Sequence, residues 1–446
     1  MWHGGPTPAA APDAGGAAVA QGSPPSDYRR RALRCGPQFG SETRMTHLRL
    51  ALPAVMALAL TACGADASAA AVPAKPGQDN RPALQAAIDR MAAAGGGTLQ
   101  LENGTYDVDG PIYVRSGVTI AGRGRGTIIT NQKFRQGTGW GGITVFAGNL
   151  NPGSFSNALN EGYPPRPTRR VSDRELTIDN CNTREVAGLT GRVIWLSTEL
   201  SEPGRRGRPN PRYGEMSLIE RVDGCRVRLA DPISAPANVP VRIHWSDGSR
   251  ALPLDEPNVP ILNAGIRDLQ LASPASQALL VSGCYRCTFT NIHIGDTRRL
   301  IALQGMRRGR FTNITGTFTE RGIEFAQYAT DNIVENVDAE YRRGASERVR
   351  PAIRFGEYAR DNIVRNSRLR LGQDYIGRDK IRFDESAGNR LINIKLILPS
   401  SDRRRSVVYR APDSERDSEG QLPPGTSLQG VQLCFGQNGG TCEPIQ

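Results

Sequence analysis

An apolar-x-apolar signature recurs five times in the second half of the chain, at Leu279/Val281, Ile301/Leu303, Ile323/Phe325, Ile353/Phe355 and Ile381/Phe383. Ten or eleven residues after each second member stands an Asn, at 291, 313, 336, 366 and 393, and Asp268 opens that series one repeat earlier. Two residues before these stand Ile266, Phe289, Phe311, Val334, Val364 and Leu391, and one residue after them Leu269, Ile292, Ile314, Val337, Ser367 and Ile394. A strand points alternate side chains to opposite faces, so residues that recur in such aligned columns stack in successive coils, layers about 4.8 Å apart. The spacing predicts an all-β chain, a right-handed parallel β-helix forming a single-stranded solenoid over 79–398, with every column facing the interior. The Asn column marks a tight turn, because Asn tolerates the left-handed region and its amide can pair with the same amide one coil away. It is architecture rather than a catalytic set.

The chain begins with a stretch that has no periodicity, residues 1–44, read as a start placed too far upstream. Met45 to Arg49 is a short, weakly basic lead into an apolar run, Leu50 to Leu60, too short to span a bilayer. Leu60-Thr61-Ala62-Cys63-Gly64 resembles the bacterial lipobox, so 45–63 reads as a lipoprotein signal peptide and Cys63 as the lipidated first mature residue. Export, with a lipid anchor holding the chain to the cell envelope (the outer membrane in a Gram-negative cell), is the localisation expected. Residues 64–78 form a small-residue linker. Removing 1–63 takes six Arg and three acidic groups from the 56 basic and 44 acidic residues, leaving a net charge of about +9. A basic surface steers anionic partners; an acidic polysaccharide is expected, with no nucleic acid, and with membrane contact only through the N-terminal lipid.

Folding is expected from Asp79. Asn80 is placed as helix N-cap, Pro82 lies in the first turn, Leu84, Ala87, Ile88 and Met91 share one face, and Gly95-Gly96-Gly97 ends the helix. Short alternating strands follow at 98–101, 105–108, 112–114, 118–120 and 127–129. The run Gly95-Gly96-Gly97-Thr98-Leu99-Gln100-Leu101-Glu102-Asn103-Gly104-Thr105-Tyr106, followed by Val118-Thr119-Ile120-Ala121-Gly122-Arg123-Gly124, closely resembles the pectate-lyase-like superfamily. In that family a capping helix leads into a parallel β-helix, and the loops preceding one sheet's strands form the saccharide cleft.

Residues 180–262 break the repeat and read as a small β insertion, with strands at 192–196, 216–219 and 226–229 and an Arg/Pro-rich loop at 202–212. Residues 399–446 read as a C-terminal cap over the last coil's edge. Of the cysteines, Cys434 and Cys442 are expected to close a terminal loop by a disulfide. The pairing of Cys181, Cys225, Cys284 and Cys287 stays open, with turn packing or a local disulfide at Cys284-Tyr285-Arg286-Cys287.

The interval from Asn to the next apolar-x-apolar strand is ten residues early, then seventeen (336 to 353) and fifteen (366 to 381). Two loops therefore project beside the same sheet. Between the inward pairs the middle residue must face outward, and this column runs Leu280, Ala302, Glu324, Arg354, Arg382, turning from apolar to charged where the loops lengthen. Asp384 joins it. Arg354, Arg382, Glu324 and Asp384 are the catalytic candidates, and Arg343, Arg350, Tyr375, Arg378, Asp379 and Lys380 the substrate-binding ones. His244 and His293, the two histidines beyond the signal peptide, share no metal-ligand spacing. Pectate lyases of the resembled family bind Ca²⁺ through clustered Asp on this sheet, and its polygalacturonases carry paired Asp with a Gly-His-Gly. Neither pattern is present. No cofactor is indicated with certainty, Ca²⁺ is the one ion the resemblance raises, and no metal site can be named. The reading is a polysaccharide lyase cleaving a uronate-containing glycan by β-elimination, with Arg354 or Arg382 as base. A glycoside hydrolase using Glu324 and Asp384, or a non-catalytic glycan-binding lipoprotein, stands as the alternative.

Overall fold

A computed structural model describes residues 71–131, 143–147, 166–198, 200–203, 209–211, 214–245, 260–273, 277–343, 350–372, 374–375, 379–399, 406–410, 418–436 and 440–445. Cys63 and Arg378 lie outside them.

The N-terminal helix, Arg81–Ala93, buries Leu84, Ala87, Ile88 and Met91 against the first coil. Its cap differs from expectation. The Arg81 N–H donates to Asp79 Oδ1 at 3.0 Å, so Asp79 satisfies the orphan donor that a helix start leaves. Asn80 is buried and donates its amide instead to the carbonyls of Lys75, Gln78 and Asp107. It ties the incoming chain to the solenoid.

Beyond the helix the chain winds through parallel coils whose strands stack into three sheets. Sheet A holds 97–100, 118–121, 265–267, 288–290, 310–312, 333–335, 363–365, 390–392 and 427–429. Sheet B, one residue past the Asn turn, runs from 104–107 to 432–435. Sheet C holds 112–114, 143–147, 277–282, 301–304, 323–326, 353–355, 381–384 and 407–410. The predicted register is the observed one: Ile301, Ile323, Ile353 and Ile381 pair in sequence, as do Leu303, Phe325, Phe355 and Phe383. All are fully buried, and the rings stack at 4.8 Å (Phe325–Phe355) and 5.2 Å (Phe355–Phe383).

One column behaves otherwise. Asp268, Asn291, Asn313, Asn336, Asn366 and Asn393 do adopt positive φ, between 51° and 57°, but most of this column faces solvent rather than the interior, and its amides bond along the outside (Asn313 Nδ2 to Asn291 Oδ1, 2.9 Å; Asn336 Nδ2 to Asn313 Oδ1, 3.0 Å). The interior amide ladder belongs to Asn332, Asn362 and Asn389, each fully buried. Asn332 donates to Asn362 at 2.9 Å, and Asn362 to Asn389 at 3.0 Å. Each follows a positive-φ residue, Asp331, Asp361 and Gly388, and burial makes a full set of partners obligatory.

The insertion starts earlier than expected. Strands Arg166–Arg170, Glu175–Ile178, Val193–Thr198, Gly214–Asp223, Arg226–Leu229 and Val241–His244 close a six-stranded barrel with its own core. A Cys181–Cys225 disulfide pins it. The ends of the Arg/Pro-rich stretch pair antiparallel as Leu200–Pro203 and Pro209–Pro211. The C-terminal segment is a further coil rather than a loose cover: Val407–Arg410, Ser427–Gln429 and Gln432–Phe435 extend sheets C, A and B. Thr441–Pro444 closes the last edge antiparallel, with Cys434 bonded to Cys442. Cys284 bonds to Cys287 within a turn.

Candidate functional site

Sheet C carries an unbroken outward column, Tyr113, Phe146, Leu280, Ala302, Glu324, Arg354, Arg382, Val408. Its first four members form an apolar cluster with Ile143. The change to charge at Glu324 falls where the longer loops begin. On the other edge of the sheet, the barrel docks on the turns that follow these strands. Trp195 and Met216 of the barrel pack with Tyr285 and Tyr328. Arg307 reaches across to Glu215 (3.0 Å) and to the Met216 carbonyl (2.7 Å), and Asp231 takes the Tyr285 hydroxyl and Arg308 (2.6 Å). The charged column thus lies between the docked barrel and the long loops.

Outward did not mean exposed. Glu324 is 2% exposed and Arg354 6%, because neighbouring side chains fold over them. Glu324 receives Arg354 Nη1 at 2.8 Å, Arg299 at 3.2 Å and the Arg321 guanidinium. Arg354 spans to Asp384 (2.8 Å), which also takes Arg382 (2.6 Å), and Arg382 continues to Asp379 (2.7 Å). Burial alone would raise the Glu324 pKa, but Arg299, Arg321 and Arg354 outweigh it and hold the carboxyl at about 2. Burial opposes ionisation of Asp384 too, and Arg354 with Arg382 more than compensates, so its pKa is lowered. For Arg354 burial favours deprotonation, yet Glu324, Asp384 and Glu357 together push its pKa above the usual arginine value. Arg321 goes the other way: burial, helped by Arg354 and Arg299, outweighs Glu324 and lowers it.

These directions revise the roles drawn from sequence. Arg354 keeps its proton and is unsuited to act as base. Glu324 and Asp384 are ionised at any physiological pH, so neither serves as the protonated acid that inverting or retaining hydrolysis requires. Both carboxylates are also consumed by guanidinium contacts, whereas Ca²⁺ needs six to eight oxygen ligands; the residues do not fit that ion. Among the described residues no group of three or more His, Cys, Asp or Glu is placed to hold a metal.

The substrate-binding candidates divide by burial. Tyr375 is 4% exposed and donates its hydroxyl to the Arg350 carbonyl at 2.8 Å, and Lys380 is fully buried with its ammonium 5.8 Å from the Tyr375 ring centre. The Tyr375 hydroxyl, which also reaches the Asp379 carbonyl, ties residues 350 and 379 together. Asp379 is taken by Arg382. Arg343 and Arg350 remain at the surface. The sequence reading missed Glu320, Arg298, Arg299 and Arg321. Buried Glu320 binds Arg298 at 2.6 Å and Arg350 at 3.6 Å, while those two side chains are 46% and 42% exposed. A fixed carboxylate beneath thus holds two guanidiniums at the surface beside sheet C. Residues 298–299 and 320–321 lie just before the apolar-x-apolar strands in consecutive coils, a recurrence that could have found them.

Gly356 makes room for the network. A Cβ there would sit 2.8 Å from Cζ and Nη2 of Arg354. Gly356→Ala should therefore push the guanidinium off its two carboxylates and cost about 1–3 kcal/mol, read as a lowered unfolding midpoint. An unchanged midpoint would show that Arg354 has slack.

No protein-family profile matches the chain. Over an alignment of 134 positions the chain is 33% identical to mannuronan C5-epimerase AlgE1 of Azotobacter vinelandii, the alignment covering 25% of this chain and 9% of that protein. The corresponding figures for AlgE4 of the same organism are 31%, 25% and 24%. The chain thus spans less than a quarter of these relatives. Among solved structures, the tailspike protein gp49 of Pseudomonas phage LKA1 aligns with TM-score 0.42 and 15% identity over 80% of this chain and 71% of that one. The AlgE4 A-module aligns with TM-score 0.29 and 13% identity over 80% and 93%.

Proposed function

We propose that this chain is an exported enzyme, held to the cell envelope through Cys63, that modifies a uronate-containing polysaccharide at C5 in the cleft over sheet C. The observation that carries the reading is the pair of surface arginines, Arg298 and Arg350, fixed from below by buried Glu320. Guanidinium is the side chain best matched to a sugar carboxylate, and an arginine already oriented loses less freedom on binding. Neutralising that carboxylate acidifies the adjacent C5–H, since the charge developing on removal of the proton spreads onto the carboxylate oxygens.

In β-elimination, a base takes the C5 proton, its electron pair forms the C4=C5 double bond, and the C4–O bond breaks with the glycosidic oxygen leaving. Arg354, locked as a cation, contributes charge beneath the sugar. Proton removal falls to Arg321, whose proton burial loosens, rather than to Arg382, which like Arg354 is held between two carboxylates. The similarity to mannuronan C5-epimerases favours a second reading. There the same C5 proton leaves and another returns from the opposite face, with no bond broken at C4. Hydrolysis is disfavoured by the ionised state of Glu324 and Asp384.

Incubation with alginate and with polygalacturonate separates these outcomes. Elimination gives unsaturated uronide absorbance, whereas epimerisation gives solvent hydrogen exchange at C5 without absorbance. Arg298→Gln and Arg350→Gln should each raise KM by about ten- to a hundredfold with a smaller effect on kcat, as expected for loss of a carboxylate clamp. Full activity in the double variant would remove this cleft from the reaction.

A further inference from the structure

The outward face of sheet B carries a second polar column, in register across five coils: His293, Thr315, Asp338, Arg368, Lys395. Its lower part borders an open groove of about 370 Å³, lined chiefly by Asn336, Asp338, Asn366, Arg368, Asn393 and Lys395. Asp338 takes Arg368 at 2.7 Å and Arg370 at 2.8 Å, so both guanidiniums are anchored with about half and a third of their surface in solvent. Among the described residues, Lys395 makes no ion pair.

Within this groove the outer amide ladder breaks. Asn336 donates to Asn313 and Asn393 donates to Asn366, but no hydrogen bond joins Asn336 to Asn366. The rungs on either side fix the amide orientations. They leave the side-chain oxygen of Asn336 and the amino group of Asn366, both groove-lining residues, without a partner among the described residues. One hydroxyl that accepts from Asn366 and donates to Asn336 would complete the ladder, and sugar hydroxyls do both. A carboxylate on the same or the next sugar would meet Arg368 and Lys395 one and two coils along from Asp338.

We infer that this groove is a second glycan-binding site, separate from the cleft over sheet C, which takes an acidic sugar chain lying along the solenoid axis. It shares with the cleft reading only the class of ligand. A site that holds polymer without turning it over would keep the enzyme on its substrate between reactions, by raising the local concentration of chain at the cleft.

The test is affinity electrophoresis of the full chain through gels containing alginate, neutral dextran or double-stranded DNA, with turnover of a short oligouronate measured in parallel. The parent should be retarded by alginate and not by dextran. Arg368→Gln with Lys395→Gln should weaken alginate retardation about tenfold, Asn366→Ala should weaken it alone, and turnover of the short oligomer should stay at the parent level. All three positions are at the surface, but Asn366 also holds a positive-φ turn, so its thermal midpoint is read alongside and only loss of retardation at an unchanged midpoint counts for the site. Retardation unchanged in the double variant, absent in the parent, or equally strong with DNA would overturn the site. Retardation lost in the double variant from a parent that shows no turnover would support the groove while removing the cleft reading.

Discussion

Phe355→Asp should leave little or no soluble folded protein. The ring is fully buried between Phe325 and Phe383, at 4.8 Å and 5.2 Å and within 7° of parallel with both. Truncating a buried Phe costs roughly 3–5 kcal/mol, and each lost aromatic pair adds about 0.5–1.5. An unpaired carboxylate between layers then either stays charged at still greater cost or takes up a proton, which is itself unfavourable at neutral pH. The total approaches the whole stability of an ordinary domain, about 5–15 kcal/mol. Soluble yield and the thermal midpoint measure it, with exposed Glu340→Gln as the control. Equal shifts for the two would mean that the interior register is misassigned.

Glu324→Gln is the second large effect. Arg299, Arg321 and Arg354 converge on this carboxylate, two of them buried with it. Removing its charge takes the shared carboxylate from Arg299 and Arg321 and leaves Arg354 only its contacts to Asp384 and Glu357, and breaking a buried ion pair typically costs about 3–5 kcal/mol. The same group sets an acid limit. Its carboxyl sits at about 2 in the folded chain against an ordinary 4.5, so ionisation favours the folded state above the ordinary value. That contribution, roughly 3 kcal/mol, fades as pH falls from about 4.5 to 2. The parent should therefore show a falling midpoint across that window, and Glu324→Gln, already weaker at pH 7, should lose less on acidification. Parallel pH profiles for the two would put the acid sensitivity elsewhere.

The solenoid was legible because its interior obeys a local rule: alternation fixes which side chains point inward, and the coil length fixes what lies above and below them. Ile323/Phe325 and Ile353/Phe355 could be paired from spacing alone. Burial of the outward column was not legible, since alternation says which way Glu324 points but not that Arg299 and Arg321 fold across it. The outer amides were misplaced for a related reason. A positive φ predicts the turn at Asn313 without saying on which side of the wall its amide lies. The barrel's first strand, Arg166-Pro167-Thr168-Arg169-Arg170, carries none of the apolar alternation that marks a strand. It is held by pairing to both neighbours instead.

The barrel enters and leaves the solenoid through strands that pair with each other, Arg166 opposite Ile243 and Pro167 opposite Arg242. A segment whose two ends already lie side by side imposes almost no separation on the coils it interrupts, so it is a cassette. Coils before and after it can keep their stacking whether it is present, shortened or exchanged, provided the exposed faces of Tyr285 and Tyr328 are covered again. The flank of sheet C that the barrel covers is therefore free to diversify while the sheet itself stays constant, and grafted barrels offer a way to alter what the proposed site accepts without repacking the solenoid.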